Sequence, residues 1–174
     1  AAAISVDIEG VAAAVTAILT AAAFASPKPR IETEIFLPAP PDAVWSVLTD
    51  GARYKDWNPF IRAMAGKVEQ GERLTNTMHP QGGKPMTFRP VVLVADPGRE
   101  LRWLGRLGLP RIFDGEHYFL LTPEGTGTCL VHGETFRGLL LWALSVTRFR
   151  DDFIAMNRAV LARVNERLKQ RFFG

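Results

Sequence analysis

The chain has 174 residues, of which 47% are hydrophobic and 22% are charged. This length suffices for the core of one ordinary domain and is too short to indicate two. Its 21 lysines and arginines slightly outnumber its 18 aspartates and glutamates, and no segment concentrates the positive charge, which argues against nucleic acid as a partner. The single cysteine, Cys129, excludes an internal disulfide and a cysteine-based metal cluster.

The N-terminal segment, residues 1–29, differs in composition from the rest. Residues 11–25 form an alanine-rich apolar run that ends in a small-residue pattern of the kind signal peptidases cut. The residues before it carry Asp7 and Glu9 but no lysine or arginine, unlike a secretory signal. The run is also shorter than the roughly 20 residues of a membrane-spanning helix. We therefore expect residues 1–29 to be a helical extension that packs either on the domain itself or on a second subunit. In the second case it would form a homodimer.

The expected location is the cytoplasm, with no stable membrane span. Export or membrane association stays open as the alternative, with residues 1–25 as signal or anchor.

From residue 30 to residue 174 the pattern predicts one domain. A strand at residues 31–37 stops at Pro38, and a helix begins at Pro40 or Pro41 and ends near Thr49. A second short helix covers residues 52–57, before the breaker Asn58-Pro59. Turns rich in glycine and proline then separate six further strands, at residues 60–68, 72–79, 86–96, 100–107, 112–122 and 128–139.

The chain closes with one long amphipathic helix. Its apolar residues recur at three- and four-residue spacing: Phe149, Phe153, Met156, Val160, Leu161, Val164 and Leu168. Seven strands in meander order predict a strongly curved antiparallel sheet, and this helix is the element left to cover its concave face. Because such a helix leaves part of the concavity unfilled, the sequence predicts an α+β fold with an internal cavity.

Six short motifs are typical of one superfamily: PPDAVW at residues 40–45, YKDWNPF at 54–60, GEHYF at 115–119, GTGT at 125–128, HGETFRG at 132–138 and FIAMN at 153–157. Together they resemble the START-like, or SRPBCC, superfamily, and most closely its bacterial polyketide cyclase/dehydrase-like subgroup. The resemblance runs from about residue 31 to residue 171. It implies a helix-grip fold, in which a seven-stranded sheet wraps around the C-terminal helix and two short helices close one end of the groove. Trp57 and Phe60 would then cap the core, line the cavity, or do both.

The last two strands bring polar and apolar residues onto one face. If the turn lies at residues 123–127, the residues face each other in the pairs His117 and Glu134, Phe119 and His132, and Leu121 and Leu130. The apolar members indicate that this is the inner face. His117, His132 and Glu134 would then form a polar cluster on an apolar wall.

Three interpretations of this cluster stay open. It could be a general acid/base pair acting on a carbonyl-containing ligand, a set of hydrogen-bonding anchors for an apolar ligand, or a structural ion pair that satisfies itself. No metal site is expected, because the cluster lacks helical ligand spacing such as HExxH, and no cofactor is expected.

The favoured function is binding of a small hydrophobic ligand, such as a lipid, a quinone or a polyketide-like molecule, between the sheet and the C-terminal helix. One alternative is a cyclase- or dehydratase-like enzyme with His117, His132 and Glu134 as catalytic residues. Another is an interaction module without a small ligand, whose N-terminal helix fills the groove or pairs subunits. The residues expected to line the cavity are Trp57, Phe88, Trp103, His117, Phe119, His132, Glu134, Phe136, Phe153, Met156 and Asn157.

Overall fold

The computed structural model of the protein describes residues 8–25, 28–80, 83–145 and 149–173. It shows the α+β fold that the sequence predicts, with a long C-terminal helix against antiparallel strands. The elements are α1 (Ile8–Ala25), β1 (Arg30–Leu37), α2 (Pro41–Thr49), a 3-10 turn (Gly51–Arg53), α3 (Tyr54–Trp57), β2 (Ile61–Ala65), β3 (Thr75–Met78), β4 (Met86–Phe88), β5 (Val91–Asp96), β6 (Glu100–Arg106), β7 (Asp114–Glu124), β8 (Gly127–Arg137), α4 (Leu139–Ser145) and α5 (Phe149–Phe173).

The strands form two hydrogen-bonded groups that join into one curved wall. Five strands follow the order β1-β8-β7-β6-β5, and three follow the order β2-β3-β4. Backbone hydrogen bonds link the groups, since Leu74 donates to Pro90 and Val92 donates to Glu72, each at 2.9 Å. All strand pairs are antiparallel. The long hairpin of β7 and β8 lies near the middle of the larger group.

One predicted strand is divided in two. The sequence pattern indicated a single strand at residues 86–96, whereas the structure has β4 and β5 with Arg89 and Pro90 between them. Proline has no backbone N–H to donate to a ladder, so the pairing is interrupted there. The register of β5 against β6 also shifts between Val92 and Val94, and such bulges bend a sheet. The described residues therefore contain eight strands where the pattern indicated seven.

The main core fills the space between the curved wall, the short helices and α5. Its buried residues include Val164 and Leu168 from α5, and Tyr54 and Trp57 from α3. The Tyr54 hydroxyl donates to the Leu48 carbonyl at 2.7 Å, which ties α3 to the end of α2. A second cluster lies at the other end of α5 and contains Ile31, Phe136, Leu141 and Leu161.

The Asn-Pro breaker after α3 has a defined local role. The Asn58 side-chain oxygen accepts hydrogen bonds from the backbone N–H groups of Phe60 at 2.9 Å and Ile61 at 2.7 Å. Asparagine commonly organises turns in this way, by satisfying backbone donors that have no ladder partner. The turn ends α3, starts β2 and sets Phe60 beside α5.

The N-terminal helix α1 lies on the outside of the protein. Its large apolar side chains are exposed, from Ile8 to Phe24. It contacts α4, and the guanidinium group of Arg111 lies 3.9 Å from the centre of the Phe24 ring. Among the residues that the structure describes, no helix combines the length and the apolar character needed to cross a bilayer.

Candidate functional site

A small cavity, here called the inner cavity, lies between the sheet and α5. Its volume is about 50 Å³, which is room for a few water molecules, because each needs about 10–15 Å³. The lining residues come from β2, β3, β4, β6, β7, β8, α5 and the turn after α3. They are Asn58, Phe60, Ile61, Asn76, Met78, Phe88, Trp103, His117, His132, Glu134, Asn157, Val160, Leu161 and Val164.

A wider outer cavity adjoins the inner one. Its volume is about 250 Å³, and it is lined by Pro59, Phe60, His79, Val160 and Arg163. Phe60 and Val160 belong to the walls of both cavities, so a molecule could occupy the two together. Their combined volume reaches the lower end of the roughly 300–1,000 Å³ typical of small-molecule sites.

The structure confirms the predicted register of the β7–β8 hairpin. His117 faces Glu134, Phe119 faces His132 and Leu121 faces Leu130. Six of the residues predicted to line the cavity do so: Phe88, Trp103, His117, His132, Glu134 and Asn157. The placement of Phe88 depends on Gly105, because a Cβ atom there would lie 1.7 Å from the tip of the Phe88 ring.

Three predicted residues lie beside the cavity and do not line it. Phe119 is fully buried behind the two histidines, and its ring stacks on the His132 ring with centroids 4.5 Å apart. Phe136 and Phe153 pack on each other, with ring centres 4.9 Å apart, in the second cluster. That cluster closes the end of the groove near α4, so these rings serve the core.

Trp57 and Met156, also predicted to line the cavity, do not face the inner cavity. Trp57 is 1% exposed and packs against Tyr54 with ring centroids 4.6 Å apart, so it caps the core and is not a wall of the inner cavity. Met156 is 57% exposed on α5. Successive helix residues are about 100° apart, and since Asn157 faces the cavity, Met156 is turned out of it.

The pattern missed several residues that shape the site. Asn165 lies four residues after Leu161 and is almost fully buried, so it is a polar member of the buried α5 stripe. Asn76 is likewise buried on β3. A polar residue at an apolar position of a periodic pattern is the signal that could have identified both. Phe60, which the family resemblance placed at the core cap or the cavity wall, lines both cavities. The other lining residues beyond the prediction are Asn58, Ile61, Met78, Val160, Leu161 and Val164.

A chain of hydrogen bonds runs from β1 through α5 to the inner cavity. Asn165 Nδ2 donates to Thr33 Oγ1 at 2.7 Å, and Asn165 Oδ1 lies 2.8 Å from His132 Nδ1. His132 Nε2 lies 3.0 Å from His117 Nε2. At the cavity end, His117 Nδ1 lies 3.6 Å from Glu134 Oε1.

The Thr33 hydroxyl determines which atoms donate and which accept along this series of hydrogen bonds. Thr33 Oγ1 donates to the His132 backbone carbonyl at 3.1 Å, and a carbonyl oxygen can only accept. The Thr33 oxygen must then accept from the Asn165 amide nitrogen, which turns the Asn165 oxygen toward His132. His132 therefore carries its proton on Nδ1, and its bare Nε2 accepts a hydrogen bond from His117 Nε2–H.

Burial keeps the His132 ring neutral. It is 1% exposed, and this desolvation holds the pKa of His132 well below its usual range, with the nearby His117 ring adding to the effect and the Asn165 hydrogen bond opposing it. The ring thus serves as a fixed acceptor for His117.

The open end of the chain is the His117–Glu134 pair. Since His117 Nε2 donates to His132, Nδ1 is its remaining ring nitrogen, and that atom faces the Glu134 carboxylate. The Trp103 ring stacks on the His117 ring, with centroids 4.7 Å apart and planes at 10°, and this contact orients the imidazole. The pair thus places an imidazole nitrogen beside a carboxylate at the cavity surface.

Asn76 lies in the same cavity with its polar atoms unused. It is 1% exposed, and neither its Nδ2 nor its Oδ1 has a hydrogen-bond partner among the described residues. Buried amides are normally completed by protein, water or ligand groups. Asn76 is therefore a second polar group that a ligand could use.

The described residues contain no cluster of three or more His, Cys, Asp or Glu side chains placed to hold a metal ion. What the arrangement offers is a largely apolar cavity whose polar lining includes Asn76, Asn157 and the His117–Glu134 pair.

Comparisons with solved structures show the same fold in other proteins. Protein MLL2253 from Mesorhizobium loti is 20% identical, with a TM-score of 0.62, over 82% of this chain and 95% of that one. The protein TTHA0849 from Thermus thermophilus is 20% identical, with a TM-score of 0.58, over 80% of this chain and 97% of that one. The di-domain ARO/CYC StfQ from the steffimycin biosynthetic pathway is 16% identical, with a TM-score of 0.64, over 82% of this chain and 49% of that one.

A search of curated proteins finds no match for this chain. The family model described as "Polyketide cyclase / dehydrase and lipid transport" matches residues 28–172, which include all the strands and every residue of the inner cavity. The protein therefore belongs to the polyketide cyclase / dehydrase and lipid transport family, within the START-like superfamily.

Proposed function

We propose that the protein binds a small hydrophobic ligand, of the lipid, quinone or polyketide-like class, in the inner and outer cavities. The observation that carries this proposal is a largely apolar cavity between the sheet and α5 with few converging polar groups, chiefly Asn76, His117 and Glu134. In small-molecule sites, apolar walls supply affinity and a few polar groups set orientation. The family description, which includes lipid transport, supports the same function.

Native mass spectrometry of the protein purified from its own host, followed by denaturing extraction, tests this proposal. We expect a bound apolar mass, which an apolar fluorescent probe can displace. Val160→Trp should weaken probe binding at least tenfold, because Val160 lies in the walls of both cavities. Ala162→Trp places the same ring on an exposed position of α5 and should bind like the wild type. If the wild type carries no bound mass and binds no probe, the protein is better described as an interaction module.

One observation favours a second candidate function, acid/base catalysis of cyclisation or dehydration. The His117–Glu134 pair faces the cavity, and His132 acts as a positioning residue behind it. On a β-hydroxy ketone, the Glu134 carboxylate would remove the proton next to the carbonyl, and His117 Nδ1–H would protonate the departing hydroxyl, so that water leaves and an enone forms. StfQ, with its ARO/CYC description, is consistent with such chemistry.

Enone absorbance after mixing with a model β-hydroxy ketone tests the second function. Glu134→Gln should abolish product formation and still bind the fluorescent probe. Equal turnover by this variant, or no product with the wild type, would remove the catalytic proposal and leave the binding proposal intact.

We also propose that residues 30–174 are the ligand-binding domain, with residues 1–29 as an extension that supports a homodimer. The exposed apolar side chains of α1 support this division. Sedimentation velocity and probe binding should show that residues 30–174 alone are monomeric and bind the probe like the full chain. A full chain that is monomeric at high concentration would contradict the dimer, and loss of probe binding on truncation would contradict the domain boundary.

A further inference from the structure

Two buried asparagines line the inner cavity, and only one is used by the protein. Asn58 is held by two backbone N–H groups, from Phe60 and Ile61. Asn76 is equally buried, yet both of its side-chain polar atoms lack a partner among the described residues. An amide without partners in an apolar core is costly, by roughly 1–3 kcal/mol. The position of Asn76 thus points to a polar group that joins it from outside the chain.

The His117–Glu134 pair is a second polar position of the inner cavity that can take a further hydrogen bond. The directed chain from Thr33 leaves His117 Nδ1 and the Glu134 carboxylate facing the cavity. Glu134 is half-buried, so a donor placed near it would gain a charge-assisted hydrogen bond.

The outer cavity has its polar groups at the solvent side. Its shared walls are Phe60 and Val160, with Pro59 beside them, and its charged and titratable members are Arg163 and His79. His79 is exposed, as is Arg163, so these groups lie toward solvent. The buried end of the site is therefore polar, and the middle of the path to it is apolar.

We infer that the ligand lies with an uncharged, oxygen-bearing end in the inner cavity, between Asn76 and the His117–Glu134 pair, and with its apolar body in the outer cavity. This inference rests on the proposed binding function. A volume of about 50 Å³ accepts a hydroxyl or keto group. A hydroxyl can donate to Glu134 and accept from Asn76, which completes both positions. A carboxylate or phosphate end is disfavoured, because it would bring a second negative charge beside Glu134 in a desolvated site.

Three probes that share one apolar body separate these cases: naphthalene, 2-naphthol and 2-naphthoate, measured by calorimetry or by competition with a fluorescent probe on the full chain. We expect 2-naphthol to bind at least tenfold more tightly than naphthalene, as for one added hydrogen bond to a charged group. We expect 2-naphthoate to bind more weakly than 2-naphthol.

Variants then assign the effect to the two polar positions. Asn76→Leu and Glu134→Gln should each reduce the advantage of 2-naphthol over naphthalene to less than threefold, while naphthalene affinity stays within a factor of two. Thr77→Val removes a hydroxyl from the next residue of β3, which does not line the inner cavity, and should keep the full advantage. If the Asn76 variant misfolds, Glu134→Gln still tests the inference independently.

The outcomes distinguish this inference from the function on which it rests. If naphthalene and 2-naphthol bind equally, the ligand orientation is wrong and the hydrophobic binding function stands. If 2-naphthoate binds most tightly, the uncharged end is wrong. If none of the three probes binds, the binding function itself fails.

Discussion

Replacing each of the two buried asparagines by leucine should have different effects on folding stability: a clear loss at Asn58 and no loss at Asn76. Asn58→Leu removes the acceptor of two backbone N–H groups, those of Phe60 and Ile61, at 2.9 and 2.7 Å. A buried donor left without a partner costs about 1–3 kcal/mol. Since Ile61 is buried and Phe60 only partly so, water can reach one donor more easily, and we expect a total loss of about 2–4 kcal/mol.

Asn76→Leu should not destabilise the fold. The substitution removes no hydrogen bond to a described residue, and it replaces a buried amide by an apolar group. We expect the free energy of unfolding to stay constant or to rise by up to about 2 kcal/mol. Stability and ligand recognition would then be in conflict at this position, as is common at binding sites.

Urea unfolding of ligand-stripped protein, followed by circular dichroism, gives both values from the midpoint and the m-value. Asn58→Ser is the matched control, because a serine hydroxyl can accept from the same two N–H groups, more weakly than asparagine and without adding a charge, and it should recover part of the loss. If Asn76→Leu were as destabilising as Asn58→Leu, Asn76 would have a structural partner and the reasoning would be refuted.

Three further predictions concern the hydrogen-bond chain and the cavity wall. The pKa of His132 in the folded protein lies below the ordinary value of 6.5, so the contribution of the neutral His132 ring to stability is complete above pH 6.5. This contribution is lost as the pH falls from 6.5 toward the folded pKa, with a slope of at most about 1.4 kcal/mol per pH unit. Urea unfolding between pH 7.5 and pH 5 should show this loss of stability in the wild type and not in His132→Gln. Gly105→Ala should displace the Phe88 ring, which would lower the free energy of unfolding by about 1–3 kcal/mol and weaken probe binding. Unchanged stability together with unchanged probe affinity would contradict the close contact between Gly105 and Phe88. Thr33→Val removes the hydroxyl that orients the Asn165 amide, so the His132 ring should no longer be held in its Nδ1–H tautomer, which ¹⁵N NMR of the ring can detect. Thr33→Ser keeps the hydroxyl and should keep that tautomer. An unchanged tautomer in the valine variant would show that another group orients Asn165.

Much of the fold could be predicted from the sequence, because the relevant signals are local. Proline, glycine and asparagine mark the ends of the elements, and the order of strands and helices follows from them. The pairing of His117 with Glu134 could also be predicted, since one short turn connects β7 and β8 and a turn determines the register of its hairpin. The division of β4 from β5 was within reach, because Pro90 stands in the middle of the predicted strand.

The site depended on contacts that no local pattern determines. The sequence by itself determined most of the element order, the hairpin register and, through its motifs, the family. It did not indicate α4, which begins at Leu139, where the pattern predicted the last strand to continue. Only the tertiary structure decided that Asn165 contacts Thr33, 132 positions away in the sequence. It also decided that Asn76 faces the cavity without a partner among the described residues, and that Met156 points outward. The physical reason is that hydrophobic spacing defines a broad helix face, whereas the rotation of α5 against a curved sheet selects which residues of that face meet the cavity.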